Sequence, residues 1–358
     1  MIKTVLVAPL DWGLGHATRC VPIIRALRQR DLNVVIASEG RSLKLLKREF
    51  PALTALELPV YGIRYPKKGS MAGVMLRQLP KILWTVVQEH RALAAIIHRY
   101  DIDAVISDNR FGLWTKTVPC VYITHQIMIM VPNWLKMIEP ILHLLHRWVI
   151  NRYDECWIPD YEDEPNISGD LSHKYPLPGN ACYIGPLSRF KRIDDAEKKW
   201  DLLAILSGPE PQRTVFEREL LSQVERLPGQ PVKTLIVQGI TEKRETQQLS
   251  DGITVVSSMT ADELNREMAS AEVVLMRAGY CGLMDLAVMG KKAILVPTPG
   301  QTEHEYLARY FHRQKIFYSE SPDRFDLERA LSRVKDYSGI LMATNDLLES
   351  RLDAFVHV

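Results

Sequence analysis

The sequence predicts an α/β protein made of two doubly wound units, and three observations carry that expectation. Short apolar, β-branched runs alternate with helical periodicities along the chain, the signature of βα units on a parallel sheet. The alternation breaks off around 158–180 and then starts again. At 358 residues the chain exceeds one ordinary core and suits two domains of about 150 to 180 residues.

In the first half the expected strands are "TVLVAP" (4–9), "NVVIAS" (33–38), "DAVISD" (103–108) and "CVYIT" (120–124). Residues 17–30 form a helix, with Cys20, Ile24 and Leu27 recurring at helical spacing. The stretch "IPDYEDEPNISGDLSHKYPLPGN" is rich in Pro, Gly, Asn and acids without an apolar period, and it reads as the linker. Beyond it, "DLLAIL" (201–206), "KTLIVQ" (233–238), "ITVVSS" (253–258), "VVLM" (273–276) and "AILVP" (293–297) are strands. Residues 212–227 put Phe216, Leu220, Val224 and Leu227 on one helix face, and "TADE" (260–263) is a capping box. The domains therefore span 1–165 and 185–337. Open α/β sheets bind ligands beyond the carboxyl ends of their strands, so two of them place a site in the cleft between.

A hydrophobic share of 46% with 25% charged residues is that of an ordinary globular protein, and a net charge of +2 gives no reason to invoke nucleic acid. The five cysteines form no CxxC pair and are odd in number, which fits a reducing cytoplasm better than a disulfide framework. The start "MIKTVLVAPLDW" lacks the features of a signal peptide. No run reaches the ~18 apolar residues of a membrane span.

"LDWGLGHATRC" (10–20) joins the first strand to the first helix. Gly13 and Gly15 permit a tight turn and close backbone approach, and the helix start supplies amides and a positive dipole end for an anion. His16 falls in the first turn. It is either a general base, since an imidazole of unperturbed pKa about 6.5 takes a proton near neutrality, or a ring bonded to the turn's backbone. Arg19, one turn on, is a contact for a phosphate or acidic substrate, or a solvated helix residue. In "VISDNRFG" (105–112) Asp108 ends a strand, where it orients His16, contacts an acceptor or caps a helix. Arg110 beside it is a candidate contact for an anionic acceptor.

The richest stretch is "VVLMRAGYCGLMDLAVMGKKAILVPTPGQTEHEYLARYF" (273–311). Gly279 and Gly282 let amides face an anion at a helix start, and Asp285 a turn further in can accept two hydrogen bonds from a ribose diol. Glu303 and His304, at the start of the next helix, are placed to bond sugar hydroxyls. Each has a structural alternative, Asp285 as a surface acid and Glu303 as a dipole partner.

These motifs resemble the inverting GT-B glycosyltransferases that use nucleotide sugars, especially the N-acetylglucosaminyl transferases that make lipid II. Arg277, Ala278, Gly279, Asp285, Val296, Pro297, Glu303 and His304 follow that family's order. "GLGH" (13–16) is similar to its glycine-rich loop, and "THQ" (124–126), with His125, to its acceptor-side segment. The resemblance implies two Rossmann-like domains facing across a cleft, with residues from about 338 to 358 packing back on the first. It makes Asp285 the ribose binder, Arg277, Glu303 and His304 donor-side residues, and His16 a cleft residue near the reacting groups. Asp285 stands where the family has the longer glutamate, and His304 where glutamine is common. At "LSGPEPQRT" (206–214) the family's glycine-rich phosphate loop is replaced by a stretch whose Pro209 and Pro211 lack amide donors, leaving contacts to Ser207, Gly208, Gln212 and Arg213. "GHATRC" also resembles the start of the UDP-sugar hydrolases of pseudaminic acid synthesis.

The expected activity is transfer of a sugar from a nucleotide donor, UDP-linked, to a hydroxyl on a glycan or lipid-linked acceptor of the cell envelope. Hydrolysis of the same donor, or nucleotide-sugar binding without turnover, are the alternatives. No DxD-like motif sits at a strand end, so neither metal nor resident cofactor enters the expectation. "HQIMIMVPNWLKMIEPILHLLHRWVI" (125–150) is unusually apolar, interleaved with Lys136, His143, His146 and Arg147, and 77–91 resembles it in character. It reads either as packed helices or as a basic amphipathic surface that brings a cytoplasmic enzyme to an anionic membrane. His143 and His146 are three apart, but no third metal ligand is in view.

Overall fold

The computed structural model describes residues 2–62, 71–208, 210–229, 231–240, 243–342 and 346–357. They divide into two compact units, one holding the residues up to Leu187 and the C-terminal helix, the other those from Ser188 to 342.

The first unit's sheet contains β1 (Thr4–Pro9), β2 (Asn33–Ser38), β3 (Thr54–Glu57), β4 (Ala104–Asp108), β5 (Cys120–Ile123), β6 (Glu155–Ile158) and β7 (Ala181–Tyr183). Its order is β3-β2-β1-β4-β5-β6-β7, and every pair is parallel. The helices are α1 (Leu14–Gln29), α2 (Gly40–Glu49), α3 (Met71–Tyr100), α4 (Glu139–Ile150) and the short α5 (Asp170–His173). Strands covered on both faces read as continuous apolar runs, and β1 and β4 are buried at every position. Leu6, Ala8, Val35, Val105 and Tyr122 form one core with Leu93 of α3 and Ile150 of α4.

The stretch that composition marks as a linker is instead part of this unit. Asp160 is fully buried and accepts the amides of Tyr161 at 2.9 Å, Ile167 at 2.9 Å and Ser168 at 2.7 Å. An acid turned inward gathers a polar loop around itself, so the loop needs no apolar period to be ordered. The sheet consequently runs on to β7, and the unit ends at Leu187 rather than near 165.

The second sheet contains β8 (Trp200–Ile205), β9 (Thr234–Val237), β10 (Thr246–Ser250), β11 (Ile253–Val256), β12 (Ala271–Met276), β13 (Lys292–Leu295) and β14 (Tyr318–Ser319). Its order is β10-β11-β9-β8-β12-β13-β14, with only β10 antiparallel among the described strands. The helices are α6 (Gln212–Val224), α7 (Ala261–Ala269), α8 (Tyr280–Met289), α9 (Thr302–Arg313) and α10 (Leu327–Arg333). Phe216, Leu220 and Val224 of α6 pack with Leu202, Leu275 and Ile294 of the strands. The capping box of α7 is formed, Thr260 Oγ1 accepting the Glu263 amide at 3.3 Å and Glu263 Oε2 accepting the Thr260 amide at 2.8 Å.

The chain ends in α11 (Leu347–Val356), which returns to the first unit; residues 343–345 of the expected C-terminal helix lie outside the described residues. Arg30, the residue that ends α1, binds Glu349 at 2.7 Å and Asp353 at 2.8 Å, and Phe355 meets Trp157 edge-on at 5.5 Å. In both sheets the strand order reverses between two adjacent strands, β1 and β4 in the first and β8 and β12 in the second. Ligands of such sheets bind at that reversal.

Candidate functional site

In the first unit the reversal brings Pro9 opposite Asp108 in register, and the Leu10 amide donates to the Asp108 carbonyl at 3.0 Å. The chain leaving β1 is thereby tied to the end of β4. Gly13 caps α1 at φ +121°, ψ 157°, a conformation only glycine holds without strain. That turn sets His16 in the first turn of α1. Its Nδ1 lies 3.0 Å from Asp108 Oδ1, and its side chain retains 15% exposure while Asp108 has none. Burial alone would raise the Asp108 carboxyl, but the charge of Arg19, the His16 ring and the hydrogen bonds from both hold it well below the usual carboxylate range.

Arg19, read from the sequence as a substrate contact, is a buried member of this cluster. It is 1% exposed and donates from Nε to Asp108 Oδ2 at 2.6 Å, with Nη2 on Oδ1. Its Nη1 lies 2.9 Å from His125 Nδ1, so His125, from the turn after β5, joins the same network. Arg110 takes a different place from the one its position suggests. It is fully buried, 2.7 Å from Glu89 and 3.4 Å from Glu39, which commits its charge to the interior. Gly15 lies inside α1, where its carbonyl accepts from Thr18 Oγ1 at 2.9 Å.

The acids around Arg110 were not singled out by sequence. Glu89 also accepts from Tyr61 at 2.6 Å and from the Gly112 amide at 3.2 Å. Burial raises the Glu89 carboxyl and pushes that of Glu39 up to about 7, against the pull of Arg110. Helical spacing held the signal: Ile82, Thr85, Glu89 and Leu93 share the buried face of α3. Asp11 was missed as well; it accepts the amides of Arg41 at 3.2 Å and Ser42 at 3.0 Å at the start of α2, where a carboxylate complements the helix dipole.

In the second unit the loops after β8, β12 and β13 converge. A β-carbon at Gly208 would lie 3.8 Å from Thr298 Oγ1, and one at Gly279 would lie 3.3 Å from His304 Nε2. His304 Nδ1 is 3.1 Å from Thr298 Oγ1, so the ring packs across the glycine that opens α8. Gly282 sits where a β-carbon would collide with Met276 Cε. Glu303, beside His304, is half-buried in the first turn of α9.

Asp285 is nine-tenths buried and accepts from Ser188 Oγ at 2.6 Å. Burial pushes its carboxyl up to about 6, despite Arg189 and the Ser188 hydrogen bond. Arg277 is a brace. It donates to the carbonyls of Val296 at 3.3 Å, Pro297 at 3.1 Å and Gln212 at 3.2 Å, lies over the Phe216 ring at 4.2 Å, and is pushed down to about 10 by burial. These contacts fix the loops after β13 and at the start of α6.

The stretch expected to cradle phosphate is arranged otherwise. Glu210 accepts the Thr214 amide at 3.3 Å and its hydroxyl at 2.8 Å, so the start of α6 already holds an anion of its own. Arg213 is bound to that same Glu210 at 2.8 Å and to Glu217 at 2.9 Å. Ser207 is exposed, and Pro209 lies outside the described residues. Gly279, by contrast, has no side chain with which to cap α8, and no acid stands in that helix's first turn. The helix start suited to an anion is therefore that of α8. Among the described residues no group of three or more His, Cys, Asp or Glu is arranged to hold a metal ion.

Comparison with known proteins bears on the fold. Residues 212–329 match the glycosyltransferase family 28 C-terminal domain. A comparison with curated protein sequences gives no match. Among solved structures, the spinosyn rhamnosyltransferase complexed with thymidine diphosphate is 12% identical, covering 99% of this chain and 95% of that one with a TM-score of 0.60. The glycosyltransferase of kitacinnamycin is 15% identical, covering 99% and 94% with a TM-score of 0.61. MurG of Acinetobacter baumannii is 11% identical, covering 99% and 100% with a TM-score of 0.58. The chain thus has the GT-B glycosyltransferase fold of two Rossmann-like units, and within the second of them residues 212–329 are similar to the glycosyltransferase family 28 C-terminal domain.

Proposed function

We propose that the protein is an inverting glycosyltransferase that moves a sugar from a UDP-linked donor to an acceptor hydroxyl. The observation that carries this reading is the His16–Asp108 pair at the strand-order reversal of the first unit. Asp108 accepts His16 Nδ1–H and leaves Nε2 with its lone pair. That nitrogen takes the proton of the acceptor hydroxyl as its oxygen attacks the anomeric carbon. The bond to the diphosphate breaks, its electron pair leaves with the diphosphate, and the configuration inverts. The second unit holds the donor, with Asp285 on the ribose hydroxyls, the amides of α8 on the diphosphate, and Glu303 and His304 on the sugar. The step calls on no metal ion or resident cofactor. A panel of UDP- and dTDP-sugars, incubated with and without a lipid extract, tests it. Release of nucleoside diphosphate only with the extract supports transfer. Equal release in water alone makes the enzyme a hydrolase, and binding with no release makes it a non-catalytic subunit.

A membrane-linked acceptor is part of the proposal, because α4 has its faces reversed. His143 and His146 are buried, while Ile141, Leu144, Leu145 and Trp148 are about 60% exposed. The two histidines face separate partners, His143 the Ile127 carbonyl at 3.2 Å and His146 the Tyr122 hydroxyl at 3.3 Å. Leu83 and Trp84 of α3 are equally exposed, as is Trp134, and Met137 is 93% exposed. Trp114 joins the two faces, its ring centroid 4.4 Å from that of His90 of α3 and tilted to it by 32°, with Arg152 bridging it to Trp148. Lys81, Arg91, Lys136 and Arg147 are exposed, whereas the acids of these segments, Glu89 and Glu139, are buried. Apolar bulk ringed by cations only is the chemistry of an anionic lipid surface. Among the described residues no helix is long and apolar enough to cross a membrane, so the contact is peripheral. The protein is expected to sediment with phosphatidylglycerol vesicles at low salt, and Trp84→Gln with Trp148→Gln to weaken binding by about tenfold or more. Failure of the parent protein to sediment overturns this part.

A further inference from the structure

The segment that opens the second unit carries a hydroxyl placed on the acid assigned to the nucleotide. Ser188 Oγ donates to Asp285 Oδ1 at 2.6 Å and accepts the Phe190 amide at 3.0 Å. With one lone pair taken by that amide and the proton directed at the carboxylate, the hydroxyl is fixed rather than free to rotate. The backbone around it is held as well. Phe190 is buried, and Asn265 of α7 clasps Lys191, its Oδ1 accepting the Lys191 amide at 2.8 Å and its Nδ2 donating to the Lys191 carbonyl at 3.0 Å. Among the described residues Ser188 is the one hydrogen-bond partner of the Asp285 side chain, so Oδ1 is tied and Oδ2 is left to accept from a ligand. Burial works against the charge on this carboxyl, while the Arg189 guanidinium and the Ser188 hydrogen bond favour it. No other charged group acts on Asp285 among the described residues. A donor aimed at a carboxylate stabilises the ionised form over the protonated one.

We propose that Ser188 is a positioning residue for nucleotide binding, one that holds Asp285 by Oδ1, as the carboxylate, so that Oδ2 meets the ribose. The proposal rests on the reading of Asp285 as the ribose binder, but its first test needs no ligand. In the full chain labelled with carbon-13 aspartate, the Asp285 carboxyl peak is assigned through Asp285→Asn and followed with pH. Ser188→Ala is expected to move its midpoint up by about one pH unit, the worth of a hydrogen bond to a charged group. Ser188→Thr, which keeps the hydroxyl, is expected to restore it. An unmoved midpoint in S188A overturns the proposal. Should S188A fail to fold, Ser188→Cys keeps the shape with a poor donor and carries the same expectation.

The second test is UDP affinity by calorimetry. Because the nucleotide needs the ionised acid, S188A is expected to bind about fivefold more weakly than the parent at pH 6, and within about twofold of it at pH 8.5. In a D285N background, adding S188A is expected to change affinity by less than about twofold, since the hydroxyl acts through the carboxylate. A loss that is equal at both pH values, or that persists in the D285N background, makes Ser188 a merely structural residue and overturns the proposal. A shifted midpoint in a protein whose parent binds neither UDP nor dTDP instead supports the coupling of Ser188 to Asp285 and overturns the ribose reading alone.

Discussion

Replacing His16 with Ala is expected to cut sugar transfer by about 10²- to 10⁴-fold, the range for loss of a positioned general base, while nucleotide affinity stays within about twofold. The two effects separate because every residue assigned to the nucleotide belongs to the second unit. Stability changes little, since His16 is partly exposed and Asp108 keeps the Arg19 fork. Asp108→Asn makes the informative contrast. It removes a carboxylate paired with Arg19 where both side chains are fully buried, and breaking a buried pair in this way costs about 3 to 5 kcal/mol. The sign with pH follows from the depressed carboxyl. Asp108 adds stability above its unfolded pKa, near 4, and that stability is lost as pH falls below it. Nucleoside diphosphate release and thermal melts of H16A and D108N read the two effects directly. An H16A protein that melts normally and transfers at the parent rate removes His16 as the base.

How much of this was legible beforehand depended on the range of the signal. The buried parallel strands β1, β2, β4, β8 and β12 announce themselves as β-branched runs, and the capping box of α7 is written in four consecutive residues. The short β3, β6 and β7 carry too few residues for a period, and β10 is exposed along its whole length. Those strands are fixed by neighbours distant in sequence. At the site, position was legible but partnership was not. Strand ends drew attention to Asp108 and Arg110, yet the first partners a helix-borne arginine 89 residues away, and the second partners Glu89 from the inner face of α3. Nothing local in "SDNRFG" distinguishes a buried ion pair from a ligand contact. The start of α6 misled for a different reason: the family resemblance placed a phosphate loop there, and Glu210, three residues before Arg213, supplied the anion from within.

Asp285→Asn is expected to make the protein more stable and a poorer binder at the same time. Burial raises this carboxyl from 3.8 to about 6, so the folded state holds the proton more tightly than the unfolded chain. The penalty for ionising it is absent below about pH 4, grows as pH rises, and is complete above about pH 6. A shift of that size is worth roughly 3 kcal/mol. Asparagine keeps the shape and can still accept from Ser188, so D285N should gain about 1 to 3 kcal/mol at pH 8 and nearly nothing at pH 4. Natural sequences keep such a penalty where a ligand uses the charge. An ionised carboxylate accepts both hydroxyls of a ribose, whereas an amide accepts with one atom only. Nucleotide affinity is therefore expected to fall about 10- to 100-fold in D285N, the worth of one charged hydrogen bond. In the parent protein, affinity should also weaken as pH drops below about 6, because binding must first remove the proton. Calorimetry with UDP at pH 8 and pH 5, beside melts over the same range, separates the alternatives. A variant that is stabilised at pH 8 yet binds UDP as the parent does would show that Asp285 serves something other than the nucleotide. A variant destabilised at pH 8 would show that the carboxylate is held in place by attraction stronger than its burial.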